Sequence, residues 1–358
     1  MIALAKIQFS RFQFKARHLL GFLISIYFFS CSGVEPIQEI NGQAWGTTYS
    51  IKIVDQPDFS LNIKLIQSSI DSIILNIDKQ MSTYRLDSEI SLFNQMPLNE
   101  NVNISAGFAE VINRSTYWSK LTSGAFDISI LPLVLVWRKG KNLVDNNRVW
   151  EPPEDQDIIE AMSKIGYEKI KLDGRRLLKA IKGQMLDVNA IAKGWGVDEV
   201  FEYLKSQKLS NFMVEIGGEV RALGLNNKAS SWKIGIDKPS ENNQPGVDIV
   251  AIISLDDKAM ATSGNYRNFF EFDGEKYSHI IDPRNGKSTQ SSVVSVSVLG
   301  PNCMDADVLA TALSVLSLNE GKALIDSLDN FEAYWIIKDI SGNFETKYSM
   351  KMPVINEL

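Results

Sequence analysis

Apolar side chains at Leu65, Ile66, Ile70, Ile73, Ile74, Ile77 and Met81 recur at intervals of three and four, which predicts a long amphipathic helix. Just before it, Thr47–Val54 (TTYSIKIV) alternates as a half-buried strand does. Further helices are expected over Ala106–Leu121 and Ile191–Lys205. From Phe212 the pattern turns mostly β, with strands expected near 212–216, 219–223, 232–237, 247–255, 268–272, 277–281 and 293–299. Helices over Met304–Val315 and Glu320–Leu328 and a strand near 333–338 follow. Asp173-Gly174 and Asp273-Gly274 read as hairpin turns, and Arg138–Asp157, with Pro152-Pro153, as an excursion or loop. Hairpins and helices come in blocks, not in strict alternation. That predicts an α+β fold with antiparallel sheets over a doubly wound parallel one.

The start of the chain follows another pattern. Lys6, Arg11, Lys15 and Arg17 precede a twelve-residue, mostly apolar run, Leu19–Ser30, with no acidic residue before Glu35. This is the layout of a signal peptide over residues 1–30. A small residue before Cys31 resembles a lipoprotein processing site, with Cys31 as the lipidated first residue of the mature chain; an ordinary signal peptide or an uncleaved anchor is the alternative. Residues 31–43 then form a lipidated N-terminus and tether, 44–348 the functional domain and 349–358 a C-terminal tail.

Composition narrows the function. The 358 residues are 44% hydrophobic and 22% charged, with two cysteines and two histidines, which fits one large domain or two modest ones and excludes a disulfide scaffold or a zinc cluster. Losing residues 1–30 removes four positive charges from a formal charge of −6 and leaves −10, so no basic footprint for nucleic acid exists. After that loss His279 is the one histidine, and Cys303 has only the acylated Cys31 for company. No P-loop, dinucleotide fingerprint, nucleophile elbow or H-E-x-x-H motif is present.

Four segments are richer in glycine and polar residues than core packing requires. In Ser123-Gly-Ala-Phe-Asp127, Asp127 taken alone reads as a helix cap or turn residue. In Leu186–Gly196, capping explains Asp187 and Asn189 but not Lys193, since a cation is disfavoured at a helix start. An anionic ligand docked on the helix amides would explain it. The third segment joins Ala261–Asn268 to Ser278–Gly286 and carries His279, a structural residue more often than a catalytic one when judged alone. In Met304–Thr311, Asp307 and Thr311 share a helix face four residues apart, which suits a hard cation such as Mg²⁺; a capped, solvated helix start is the simpler reading.

Taken in order, these segments resemble the ApbE family of FAD:protein FMN transferases. The blocks are Trp45-Gly-Thr-Thr-Tyr, Met81-Ser-Thr-Tyr-Arg, Gly124-Ala-Phe-Asp, Asp187-x-Asn-Ala-Ile-Ala-Lys-Gly, Glu215-Ile-Gly-Gly-Glu, Ala261-Thr-Ser-Gly-x-Tyr-Arg, Ser278-His-x-Ile-Asp-Pro-x-x-Gly and Asp305-Ala-Asp-x-Leu-Ala-Thr. They run collinearly over roughly 40–340. The resemblance implies antiparallel, T-fold-like sheets packed with helices and an FAD site in a cleft between subdomains. It implies Mg²⁺-dependent transfer of FMN from FAD to a Thr or Ser hydroxyl of an acceptor protein, with release of AMP. FAD contacts would be Trp45, where the family commonly has Met, with Tyr84, Ala125, Phe126, Asp127, Asp187, Lys193 and Ile281. Mg²⁺ ligands would be Ala190, Asp307, Ala310 and Thr311, and His279 the catalytic base. Acceptors would carry a Ser/Thr-Gly-Ala-Ser/Thr motif and belong to exported or membrane electron-transfer systems. The enzyme itself would be lipid-anchored on the extracytoplasmic, periplasmic side. A hydrolase splitting FAD to FMN and AMP, and a flavin-binding lipoprotein without catalysis, are the alternatives.

Overall fold

The computed structural model describes residues 35–54, 62–139, 150–239, 246–265 and 269–357. The signal segment, Cys31, Tyr266, Arg267 and most of the excursion before Trp150 lie outside the described residues. The main sheet has eight strands: β1 (Ile37–Ala44), β2 (Thr47–Val54), β6 (Phe212–Ile216), β7 (Glu219–Leu223), β10 (Ala259–Gly264), β13 (Val293–Gly300), β14 (Glu332–Lys338) and β15 (Phe344–Tyr348), in that spatial order. Each neighbouring pair in it is antiparallel. Smaller antiparallel sheets are formed by β3 (Asn101–Asn103), β5 (Arg176–Leu178) and β4 (Lys171–Asp173), by β8 (Trp232–Asp237), β9 (Ile249–Leu255) and β16 (Val354–Glu357), and by the hairpin of β11 (Phe269–Phe272) and β12 (Glu275–Ser278).

Eight α-helices lie among the described residues, several of them on one face of the main sheet. They are α1 (Ile63–Met81), α2 (Glu89–Gln95), α3 (Ala106–Leu121), α4 (Leu131–Arg138), α5 (Asp155–Met162), α6 (Ala192–Ser206), α7 (Cys303–Val315) and α8 (Leu318–Asp326). Ile66, Ile70 and Ile74 of α1 and Val197, Val200 and Leu204 of α6 pack on Ile51, Ile53, Val214 and Ile216. The opposite face, with Val220, Ala222, Met260, Leu299 and Ile336, packs on Trp232, Ala251, Ile253 and Leu255 of the β8–β9 layer. With both faces covered, all eight residues of β13 are buried: Val296 and Val298 join the core that holds α7, and Leu299 joins the opposite one.

The α+β, antiparallel expectation holds, and β2, β6, β7, β8 and α3 match the expected bounds. Two ends differ from expectation. The tether stops at Ile37, where β1 pairs with β2 through Ile37↔Val54 and buries Ile40 and Ala44. The C-terminal tail is structured as well, since β16 pairs with β9 and Met352 is buried. Both segments are short and polar on one side, so only the sheet edge waiting for them reveals the strand. The central strand β10 also escaped the pattern: its sequence, AMATSG, has no branched aliphatic residue. Small side chains there let α7 lie close, with Ala261 in the α7 core. Residues 37–358 close into one unit.

Candidate active site

Two helices cap each other at the centre of the site. The first turn of α6 has no side-chain cap of its own. Instead the Asp307 carboxylate, reaching from α7, accepts the Gly194 amide at 3.0 Å. In return Asp198 of α6 accepts the Cys303 and Met304 amides that open α7, at 2.9 and 2.8 Å, and takes Arg221 at 2.8 Å. Each carboxylate thus satisfies amides that would otherwise be buried without partners. The helices approach closely enough to demand glycine: a Cβ on Gly194 would sit 2.4 Å from the Cys303 carbonyl oxygen.

Lys193 lies in that first turn and pairs with the buried Glu219 carboxylate. The sequence left Lys193 wanting an anionic partner, and the chain supplies one. Glu219 is delivered by the Gly217-Gly218 turn, with φ of +64° and +104°, which joins β6 to β7 in the two-residue form that suits twisted strands. Burial pushes the Glu219 carboxyl up to about 8; Lys193 opposes this and Asp307 adds to it. Burial likewise raises Asp307, against the pull of Lys193 and the Gly194 amide. Burial would lower the Lys193 ammonium, but Asp307 and Glu219 outweigh it and hold Lys193 above its ordinary value, fully charged.

One ammonium therefore faces two buried carboxylates, and Glu219 Oε2 is buried without a hydrogen-bond partner. Both facts suit a hard divalent cation beside Lys193. Among the described residues no group of three or more His, Cys, Asp or Glu side chains is arranged to hold a metal. The expected donor set has a different make-up, a single carboxylate with a hydroxyl and backbone oxygens. Asp307 and the half-buried Thr311 stand four apart on α7, as expected, and Ala190 lies in the turn that enters α6. Ala310 fits less well: its carbonyl sits in the interior of α7 and already accepts the Ser314 hydroxyl at 2.9 Å.

Six of the eight residues expected around FAD fall into two groups, with Tyr84 and Ile281 apart from both. Trp45 and Lys193 flank the α6 start. Trp45 occupies the β1–β2 turn with φ +48°, and Gly46 has φ +80°. Its indole donates to the Ile74 carbonyl at 3.3 Å and lies on Gly196, where a Cβ would come within 2.2 Å of the ring. The indole thus joins α1 to α6, and Gly196 is the residue that makes room for it. The other group is the loop of Ser123 and Gly124, both at positive φ, which leads into Ala125, Phe126 and Asp127. Phe126 is buried in the main core, so its ring offers no open stacking surface. Asp127 is a cap, the simpler reading: it accepts the Ser129 amide and hydroxyl at 2.8 and 2.7 Å and the Tyr167 amide at 2.8 Å. Asp187 is tied to this loop by its amide, which donates to the Ile128 carbonyl at 2.7 Å, while its own carboxylate accepts the Asn189 amide at 2.9 Å. Tyr84 is 79% exposed beside Arg85, whose guanidinium bridges Asp78 and Asp87 at 3.4 and 2.8 Å.

His279 leaves the end of β12 exposed. Its surroundings are firm: the Ser278 hydroxyl accepts the Ile280 amide at 3.0 Å, Ile281 bridges Ser288, and the Asp282 carbonyl accepts the Gly286 amide at 2.8 Å. Ile281 is buried among Leu133, Trp137 and Ile158, which anchors the hairpin. A cavity of about 720 Å³ is lined by Tyr277 and Asp282, which bracket His279, together with Trp137, Ser288 and Thr289. None of the expected FAD residues lines it.

Two further acidic residues have strong structural duties. One is Asp198, which no sequence signal singled out. The other is Asp305, the first residue of its motif block, which accepts Arg114 through two bonds of 2.5 Å and Trp118 Nε1 at 2.6 Å. Glu219 was seen only as the end of the Glu215-Ile-Gly-Gly-Glu block; an acidic residue after a Gly-Gly turn was its one signal.

Comparison with known proteins agrees with this geometry. A Vibrio cholerae protein named FAD:protein FMN transferase is 40% identical over 325 residues, covering 90% of this chain and 95% of its own. A Haemophilus influenzae protein of the same name is 36% identical over 334 residues, 92% of this chain and 94% of its own. The structure of the V. cholerae flavin transferase ApbE matches with a TM-score of 0.78 at 38% identity, over 88% of this chain and 98% of that one. The apo form of the Pseudomonas stutzeri flavinyl transferase ApbE matches equally well, at 0.78 and 32% identity, over 88% and 95%. The ApbE family model spans residues 45–335, from the indole that seats α6 to the strand behind α7, and the chain belongs to the ApbE family.

Proposed function

We propose that this protein is an FAD:protein FMN transferase that joins FMN through its phosphate to a Thr or Ser hydroxyl of an acceptor protein and releases AMP. The observation that carries the reading is Lys193, held with Asp307 and Glu219 at the start of α6, in a chain whose relatives bear that enzyme name. The FAD diphosphate docks at this helix start, where the Lys193 ammonium meets its negative charge. Tyr84, Trp45 and the Ala125–Asp127 loop flank the remainder of FAD, with Asp187 and Ile281 shaping its borders.

Asp307, Thr311 and the Ala190 carbonyl hold Mg²⁺, which when bound neutralises charge on the diphosphate and on the departing AMP. The acceptor hydroxyl oxygen forms a bond to the FMN phosphorus as the bond from that phosphorus to the AMP oxygen breaks. The hydroxyl proton passes to the imidazole of His279, and AMP leaves with its electron pair. Lys193 keeps the diphosphate fixed through the exchange, since its charge is secured by two carboxylates.

The mature chain is tethered through lipidated Cys31 on the extracytoplasmic face of a membrane, next to acceptors of exported electron-transfer systems. Among the described residues no helix is long and apolar enough to cross a membrane.

The test is intact-mass measurement of an acceptor bearing a Ser/Thr-Gly-Ala-Ser/Thr motif after incubation with enzyme, FAD and Mg²⁺. A gain of one FMN less water that EDTA abolishes is expected. Release of FMN and AMP with no gain in acceptor mass would replace the transferase by an FAD pyrophosphatase.

A further inference from the structure

We infer that Glu219 is a positioning residue: by taking the hydrogen bond of the Lys193 ammonium it keeps the ammonium from bonding to Asp307 and leaves the Asp307 carboxylate open to a divalent cation. This rests on the reading of Asp307 as a cation ligand.

Three observations lead to it. Lys193 and Gly194 are adjacent, and the Gly194 amide is fixed on Asp307 Oδ2 at 3.0 Å, so the Lys193 side chain starts one residue from that carboxylate. Asp307 and Glu219 are the two carboxylates that act on the ammonium, yet the hydrogen bond runs to Glu219 Oε1. Finally, Glu219 is not a casual partner. It is 2% exposed and stands opposite Ile216 across a Gly-Gly turn, so burial and a tight turn both hold it in place.

The physical consequence follows from competition between cations. Without Glu219 the half-buried Lys193 ammonium would turn to the carboxylates left around it, Asp307 foremost among them, and an ion pair on the buried Asp307 is strong once formed. A metal ion would then have to displace it. With Glu219 in place, the Asp307 carboxylate carries only an amide on Oδ2, and its charge is directed to whatever cation approaches from Thr311. The same arrangement explains why the lysine can sit in the first turn of a helix, where a cation is disfavoured.

The test is Mn²⁺ binding, followed by loss of the free-ion electron paramagnetic resonance signal, on the mature chain without FAD. Glu219→Gln is expected to weaken Mn²⁺ roughly ten-fold or more, which is about 1.4 kcal/mol. Lys193→Met is expected to bind at least as well as the parent. The double variant Glu219→Gln/Lys193→Met is expected to return to the parent affinity, because no ammonium is left to compete. A simple loss of structure would not be repaired by a second substitution. Parent-like binding by Glu219→Gln overturns the inference, and so does a double variant as weak as Glu219→Gln, which would make Glu219 a direct ligand. If Glu219→Gln does not fold, Lys193→Met decides alone, since weaker binding there would show that Lys193 supports the cation. Asp307→Ala separates the two levels of argument: parent-like Mn²⁺ binding in that variant removes the cation site itself, whereas loss of binding there leaves Glu219 to be judged on its own variants.

Discussion

Asp198 and Asp307 cap each other's helices: Asp198 of α6 takes the Cys303 and Met304 amides of α7, and Asp307 of α7 takes the Gly194 amide of α6. The exchange locks the start of α6, which carries Lys193, to α7, which carries Asp307.

The two caps are separable by substitution. Asp198→Ala removes the acceptor for two buried amides and leaves Arg221 without its closest carboxylate, so a loss of roughly 3–5 kcal/mol is expected. Urea unfolding checks it, and a loss below about 1 kcal/mol would show that α7 does not depend on this cap.

Asp307→Asn keeps an oxygen for the Gly194 amide but gives up the charge. Stability should change by no more than about 1 kcal/mol, within the range of a conserved cap. FMN transfer should fall steeply. Asp307→Ala loses both and leaves a buried amide unpaired, an added cost of about 1–3 kcal/mol. Paired thermal unfolding and AMP-release assays distinguish the two variants.

Gly194→Ala places a methyl group 2.4 Å from the Cys303 carbonyl oxygen, which is backbone and cannot step aside. The helices must part, at about 1–3 kcal/mol or more. Transfer should fall along with stability, because Lys193 moves with α6. A variant with parent unfolding behaviour would mean that the helices are less tightly held than the geometry indicates.

His279→Ala should leave unfolding unchanged, since the side chain is exposed, and lower transfer by roughly 10²–10⁴-fold, the range for loss of a general base. Equal rates for His279→Ala and the parent would assign the proton to another acceptor.

Asp127 gives a pH signature away from the cation site. Burial raises its carboxyl, against the Ser129 and Tyr167 hydrogen bonds. The folded state then holds the proton more tightly than the unfolded chain does, so the contribution is complete below the ordinary carboxylate value of 3.8 and is lost as pH rises through the folded value. Asp127→Asn lacks this dependence. The stability of the parent relative to that variant should therefore decline as pH rises from about 4, measured by denaturant unfolding across pH.

Local signals carried well from sequence to structure. Asp273-Gly274 makes its hairpin with φ of +50° and +78°, because turn chemistry depends on those two residues alone. The periodic isoleucines of α1 face the core as their spacing required. Such features are fixed by neighbours three or four positions away, and a sequence displays those directly. The order of the motif blocks was likewise enough to name the family.

What the sequence could not display was partnership across long stretches of chain. Lys193 reads as a cation at the wrong end of a helix until β7 brings Glu219 to it from 26 residues on. Phe126, named by the resemblance as an FAD contact, is closed over by the core, and the Trp45 indole finds its seat only because Gly196 makes room for it. The sequence by itself determined the fold class, the helices α1, α3, α6, α7 and α8, the two Asp-Gly hairpins and the residue types able to do the chemistry, all set by local periodicity and turn geometry, whereas the short helices α2, α4 and α5 escaped it. Only the tertiary structure decided which carboxylates cap, which pair with Lys193 and which stay open, because burial sets the strength of each charge and only packing decides what is buried.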